Sequence, residues 1–390
     1  MASNAPEPHP QDPTRPPHDP TRRPDDPTRR PHDPSRLSRR SLLGAAAAGG
    51  ALSGLGRVVP SALASSIAPA PAPPPAPARA DARHREFWLS VEAFEQNLVP
   101  TGFDQMMGTT VGGASFAALG FRGYTPGFGR LLPQDESPTG IGLNSGIPGP
   151  LLRARVGDRV TVHLRNNDHE FKWPHSFHVH GWRYGPESDG SWTYGTRADA
   201  VGDGAAVPYG ETYAYQYTVP ETAVGTWPYH DHSVPQIYPG ADPDVANPME
   251  MNAQLGLFGI IAVTDAHTPV VDREFYLFFH DLYQDDVPVL SQDFDCFNGH
   301  AYLGNTPVFS ARVGERVRWR IAALGKEFHV FHLHGHRWFN GIYHTDSQII
   351  GPSTTATIEY TEDNAGDWLY HCHVTDHMQG GMMGRYEVTR

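Results

Sequence analysis

The sequence predicts an all-β protein built from two β-sandwich domains, and three observations carry that expectation. Its 390 residues include 40 glycines and 37 prolines, only 19% are charged, and no segment sustains a helical or heptad repeat. Three blocks of sequence occur twice, in the same order. The repeated blocks also alternate apolar and polar residues with the period of a strand.

In chain order, residues 1–80 read as a segment outside the fold. A heptapeptide recurs at Asp12-Pro-Thr-Arg, Asp19-Pro-Thr-Arg, Asp26-Pro-Thr-Arg and Asp33-Pro-Ser-Arg, too polar and Pro-rich to bury a core. Ser38-Arg-Arg-Ser-Leu-Leu-Gly44 resembles a twin-arginine export signal. A small apolar run over 45–55 and a candidate cleavage site at Ala62-Leu-Ala64 follow it. The run is too short and too rich in Ala and Gly for a membrane anchor, so the expectation is an exported protein, extracellular or in the cell envelope. A Pro/Ala linker ends this segment.

From residue 86 the duplication sets the architecture. Ala154-Arg-Val-Gly-Asp-Arg-Val160 recurs as Ala311-Arg-Val-Gly-Glu-Arg-Val317. His175-Ser-Phe-His-Val-His-Gly-Trp182 recurs as His329-Val-Phe-His-Leu-His-Gly-His336. Gly225-Thr-Trp-Pro-Tyr-His-Asp-His232 recurs as Gly366-Asp-Trp-Leu-Tyr-His-Cys-His373. Val160, Val162 and Leu164 alternate with Thr161, His163 and Arg165, and Val317, Trp319 and Ile321 with Arg316, Arg318 and Arg320. Domains are expected at 86–265 and 266–390. Residues 101–146 read as a long Gly-rich covering loop and 234–254 as a Pro/Asp/Met-rich one.

A net charge of −13 argues against nucleic acid or an acidic membrane surface as partner. With only Cys296 and Cys372, a disulfide framework is not expected, and Cys296 reads as a buried free thiol. The 22 histidines are the informative residues. Four His-x-His pairs occur, His178/His180, His230/His232, His332/His334 and His371/His373. On a strand each pair aims two imidazoles at one face. Pairs at matched positions in both halves point to metal, and imidazole suits copper. Cys372 points away from its two neighbours, so one strand serves two sites. Together with His329, His377 and Met382 it makes two imidazoles, a thiolate and a thioether, the ligand set of a blue-copper centre. Zinc also takes Cys and His but rarely thioether.

These motifs resemble the multicopper oxidases. His329-Val-Phe-His-Leu-His-Gly-His336 and His371-Cys-His-Val-Thr-Asp-His-Met-Gln-Gly-Gly-Met382 are similar to the C-terminal copper signatures, and His178-Val-His-Gly and His230-Asp-His to the N-terminal ones. With two domains, the chain is most similar to the small bacterial laccases. The resemblance implies Greek-key cupredoxin domains and four coppers per chain. His329, Cys372, His377 and Met382 would hold type 1, with His377 as the electron port, and His178 and His332 type 2. The type 3 ions would be held by His180, His230 and His373 and by His232, His334 and His371. Asp231 and Gln236 stand where Cys372 and His377 stand, so domain 1 is expected to lack a blue copper.

The implied reaction couples one-electron oxidation of small phenolic or similar donors to four-electron reduction of dioxygen to water. Asp189 and Tyr184 are candidates for a proton and electron relay, or else a turn aspartate and a packing tyrosine. Val330 replaces the usual Pro of the signature, and Met378 stands where some relatives carry an acid. A homotrimer with clusters shared between chains is implied, because the short linker at 266–272 hinders one chain from facing its own two halves together. A copper nitrite reductase-like enzyme and a copper-handling or cuprous-ion oxidase are the alternatives.

Overall fold

A computed structural model describes residues 83–133, 139–144, 146–191, 206–233 and 236–390. The repeats, the export signal and the linker lie outside the described residues. The first sandwich comprises β1 (His84–Asn97), β2 (Ser115–Tyr124), β3 (Leu152–Arg155), β4 (Arg159–Asn167), β5 (His178–Val179), β6 (Thr212–Thr218), β7 (Gly225–His230) and β8 (Phe258–Thr264). Its two sheets run β2-β1-β4-β6 and β3-β8-β7-β5. The second comprises β9 (Arg273–Leu282), β10 (Phe294–Phe297), β11 (Val308–Arg312), β12 (Arg316–Ala323), β13 (His329–Leu333), β14 (Ser347–Ile350), β15 (Thr355–Thr361), β16 (Gly366–Cys372) and β17 (Met383–Thr389). Its sheets run β10-β9-β12-β15 and β11-β17-β16-β13-β14.

The two orders are the same order written twice, β14 being an addition. Each sandwich pairs its first strand in parallel with the strand of the repeated Val-Gly-Asp/Glu-Arg-Val block, His84 opposite Arg159 and Arg273 opposite Val317. A two-sheet sandwich of this kind needs strands whose inner faces interlock. Val160, Val162 and Leu164 provide one such face, all but inaccessible to water. In the second sandwich Trp319 is the centre, ringed by Phe275, Phe309, Tyr370 and Tyr386 at centroid distances of 4.9–5.7 Å.

Two features differ from the sequence expectation. The alternation on β12 does not separate a core face from a wet one, since Arg318 and Arg320 are 4% and 1% exposed. Arg318 is paired with Glu274 and Glu359 inside the second sandwich, and Arg320 lies on the contact between the sandwiches. Arg320 donates to Glu274 (2.7 Å) and across to the carbonyl of Gly225 (2.8 Å), while Thr355 donates to the carbonyl of Thr226 (2.6 Å). Phe258 stacks on Phe278 at 4.1 Å in the same contact. The burial of a guanidinium is tolerated because every charge there is paired and hydrogen-bonded. The second difference is 101–146, which is not one long loop. β2 lies inside it and pairs with β1 from Trp88/Tyr124 to Asn97/Ser115. Its Ala, Leu and Gly run is buried on both faces, so it lacks the alternation that reveals a strand. Likewise 234–254 contains a short helix, α1 (Met251–Leu255), with Met251 and Leu255 fully buried.

Candidate metal centre

The strand pairing brings the histidine pairs together as two quartets. On β5 and β7, His178 is the register partner of His230. Ring centroids of His178 lie 5.1–5.2 Å from those of His180, His230 and His232. On β13 and β16, His332 is the partner of His371 and lies 5.1–5.2 Å from His334, His371 and His373. The close approach is also the same: His180 Nε2 to His230 Nε2 is 3.2 Å, and His334 Nε2 to His371 Nε2 is 3.0 Å.

Backbone carbonyls set the tautomers. Nδ1–H of His178 donates to the carbonyl of Asp189 (2.6 Å), His230 to Asp231 (3.0 Å), His332 to Asp346 (3.0 Å) and His371 to Cys372 (2.8 Å). Each leaves an Nε2 lone pair aimed into its quartet, the second-sphere arrangement of ligating histidines. The Nε2 lone pairs of His230 and His371 face the Nε2 atoms of His180 and His334 at 3.2 and 3.0 Å, an edge that two metal–nitrogen bonds of about 2.0 Å fit. Burial, reinforced by neighbouring imidazoles, lowers His180 to about 4 and His230 to about 3. The same causes lower His178, His334 and His371. These rings are neutral at pH 7, as metal ligation requires.

Cys372 faces the other way. Its Sγ lies 3.9 Å from His329 Nδ1 and 3.7 Å from His377 Nδ1, and those two nitrogens are 3.1 Å apart. Burial raises the thiol, but His329, His377 and the Val330 and Val374 amides outweigh it and bring it to about 6. A thiolate is therefore accessible at neutral pH. The next segment, α2 (Thr375–Gly380), carries His377. Met382 is fully buried in the same core cluster, its carbonyl accepting from Cys372 N (3.1 Å) and its amide donating to the carbonyl of His377 (3.0 Å). The Gly pair between them is tightly packed. Gly381 has φ +130°, and a Cβ there would meet Ala301 Cβ at 2.6 Å.

Asp189 and Tyr184 both sit beside His178. Asp189 Oδ1 is 3.6 Å from His178 Nδ1, the Tyr184 ring is 6.0 Å from the imidazole, and burial, then the Asp189 charge, raises Tyr184. Cys296 is buried and free, its thiol pushed well up by burial. Sequence reasoning missed Asp281 and Asp295, register partners on β9 and β10. Asp281 Oδ2 stands 3.5 Å from His329 Nε2, and both carboxylates come near His377. Burial, then the Asp281 charge, raises Asp295 to about 9. The available signal was a carboxylate at the end of the apolar run Phe275–Phe279.

In domain 1 the position of His329 is taken by His175, fully buried and set between two carboxylates. Its Nδ1 is 2.6 Å from Asp231 and its Nε2 3.3 Å from Asp168. Burial alone lowers a histidine, but Asp231 and Asp168 outweigh it and raise His175 to about 9. Among the described residues, no hydrogen bond or ring contact joins the two quartets within the chain, and the groups of converging ligand atoms keep them separate.

Tandem β-sandwiches with a Cys-His-His centre and two imidazole quartets present the ligand types that suit copper. Comparison with known proteins agrees. Multicopper oxidase family models match residues 129–241 and 281–390. The chain is 32% identical to hephaestin of Rattus norvegicus over 302 residues, which cover 69% of the chain and 24% of hephaestin. It superposes on a crystal structure of a multicopper oxidase with TM-score 0.57 and 20% identity, covering 78% of this chain and 89% of that one. A copper nitrite reductase from Nitrosomonas europaea matches with TM-score 0.52 and 22% identity, covering 79% and 94%. The chain belongs to the multicopper oxidase family. It spans about a quarter of the length of the curated relatives it matches.

Proposed function

We propose that the chain is a two-domain, laccase-type oxidase that takes single electrons from small phenolic or similar donors and reduces dioxygen to water. The observation that carries this reading is the strand end His371-Cys372-His373, whose thiol meets His329 and His377 on one face while its imidazoles complete a quartet on the other. Four coppers are assigned. His329, Cys372, His377 and Met382 hold type 1, and His178 and His332 type 2. His180, His230 and His373 hold one type 3 ion, His232, His334 and His371 the other. Bound there, copper supplies reversible one-electron chemistry and a site for the four-electron reduction of dioxygen. The protein contributes neutral imidazoles, four of them held in one tautomer by backbone carbonyls, a depressed thiol, and a continuous covalent bridge through residues 371–373. Asp189 and Tyr184 are assigned to a relay at His178.

The separation of the quartets supports a homotrimer in which domain 1 of one chain faces domain 2 of the next. Exposed apolar side chains flank the domain-2 quartet in sequence and register, with Phe328 65%, Ile349 70%, Ile342 84% and Tyr343 60% accessible. Export by the twin-arginine route follows from Arg39 and Arg40, and the mature N-terminus of secreted protein tests it. Among the described residues no helix is long and apolar enough to cross a membrane.

A metal-ion donor is the second reading, favoured by Asp281 and Asp295 beside His377 and by the similarity to Ferroxidase HEPHL1 of Homo sapiens. A nitrite reductase-like reading fits less well, because the cysteine lies in the second domain and both quartets are complete. Oxygen uptake by copper-loaded protein, with a phenol, ferrous iron and cuprous ion as parallel donors, separates these. Uptake with the phenol is expected. Nitrite turnover without dioxygen consumption would reject the proposal.

A further inference from the structure

A cavity of about 130 Å³ lies beside the domain-1 quartet, lined by His230, Asp231 and His232 and by Glu250, Asn252 and Leu324. At about 30 Å³ per water it has room for roughly four. Two oxygens of this lining have no protein partner, Glu250 Oε2 and Asn252 Oδ1, and Asn252 is only 8% exposed. Asn252 Nδ2 donates to Ser233 Oγ (3.2 Å) and Ser233 N to Asp231 Oδ1 (2.9 Å), so polar contacts run unbroken from α1 to the end of β7. Buried acceptors left to water in a roomy polar cavity are what a proton path requires.

We propose that Glu250 and Asn252 line the route by which protons reach dioxygen at the domain-1 histidines, with Glu250 as the relay acid. This rests on the oxidase reading above. One dioxygen takes four electrons from the donors and four protons to give two waters. In each delivery the Glu250 O–H breaks, its proton moves along cavity water to the oxygen being reduced, and solvent reprotonates the carboxylate. The outer rim of the cavity is Met249, 72% exposed. No electron passes through Glu250. The charged groups that act on it are Lys326, Asp286, Asp281 and Glu327. Burial is the largest influence, and with the acids it outweighs Lys326 and lifts the carboxyl to about 7. That is the range in which a carboxyl both gives and regains a proton at neutral pH.

The test is Glu250→Gln, which keeps shape and removes the exchangeable proton. Copper content, the thiolate-to-copper absorption and its anaerobic bleaching by donor are expected to be unchanged. Turnover with dioxygen is expected to fall about a hundredfold, within the span of a lost proton relay. Wild-type turnover should decline as pH rises through about 7, and the variant should lose that limb. Glu250→Asp should recover part of the rate. Independently of turnover, difference infrared of copper-free protein should show a carboxylic-acid stretch that titrates near neutrality and is missing in Glu250→Gln. Wild-type turnover and pH profile in the variant, or an unchanged infrared titration, would overturn the proposal. If wild-type protein consumes no dioxygen with any donor, the oxidase reading fails instead, and the infrared measurement still decides whether Glu250 holds a proton.

Discussion

Domains 1 and 2 each bury a histidine at the corresponding position of the duplicated block and put it to opposite use. His329 faces a thiol and a second imidazole, whereas His175 is held between two carboxylates. Both rings keep a proton to about 9, after burial is outweighed by Asp281 and Cys372 in one case and by Asp231 and Asp168 in the other. What differs is what a metal would meet on displacing that proton. In domain 2 it meets a soft thiolate with few other obligations. In domain 1 Asp231 already accepts from Ser176 N (2.9 Å), Ser176 Oγ (3.0 Å) and Ser233 N (2.9 Å). At the position that matches the Cys-His-His centre, domain 1 thus holds a buried ion triad, in which Asp231 stands where Cys372 does and Asp168 is a partner that alignment of the blocks does not reveal.

The strongest test of this contrast is Cys372→Ser. It should abolish the blue absorption and all oxidase activity, because the thiolate sulfur belongs to both the chromophore and the electron bridge. Cys296→Ser should keep both and lose only about 1–3 kcal/mol of stability through an unpaired buried hydroxyl. A blue band surviving in the Cys372 variant would break the assignment of domain 2. Metal analysis sharpens the other half, since four coppers per chain with one blue are expected. Five, two of them blue, would mean that His175 binds metal after all.

Assembly comes next in size. If neighbouring chains complete each cluster, light scattering across a dilution series should show activity vanishing with the trimer, and copper removal should loosen it. Full activity at monomer mass would exclude shared clusters.

Asp231→Ala should cost roughly 3–5 kcal/mol in denaturant unfolding by leaving a buried imidazolium half-paired, while leaving the blue absorption in place. The sign of the pH dependence follows from the shifts. His175 is raised, so its contribution is complete below its ordinary 6.5 and fades as pH climbs through about 9. Asp231 and Asp168 are lowered, so theirs is present above the ordinary 3.8 and fades as pH falls below it. Wild type should therefore be most stable between about pH 4 and 6.5 in this respect, and the variant's dependence should be flatter. Stability unchanged by the substitution would show that the triad is incidental.

The smallest expected effect is Asp281→Asn. Removing a negative charge 3.5 Å from His329 should raise the potential of the blue centre on the order of 60 mV, a tenfold change in a one-electron equilibrium. Redox titration followed at the blue band reads it directly.

The sequence alone determined the two-fold repeat, the sandwich class, and which residues form each quartet and the Cys-His-His centre. It could do so because His-x-His on a strand has one geometry and the duplicated blocks cross-check one another. Three things needed the tertiary structure. β2 is buried on both faces and therefore carries no alternation. Arg318 and Arg320 look like a solvent face but are both buried, Arg320 against the first sandwich, since periodicity reports which residues share a side and not what covers it. Finally, Asp168, Asp281, Asp295 and Glu250 acquire their chemistry from neighbours distant in sequence. A carboxylate's charge state depends on what surrounds it in space, and no local pattern encodes that.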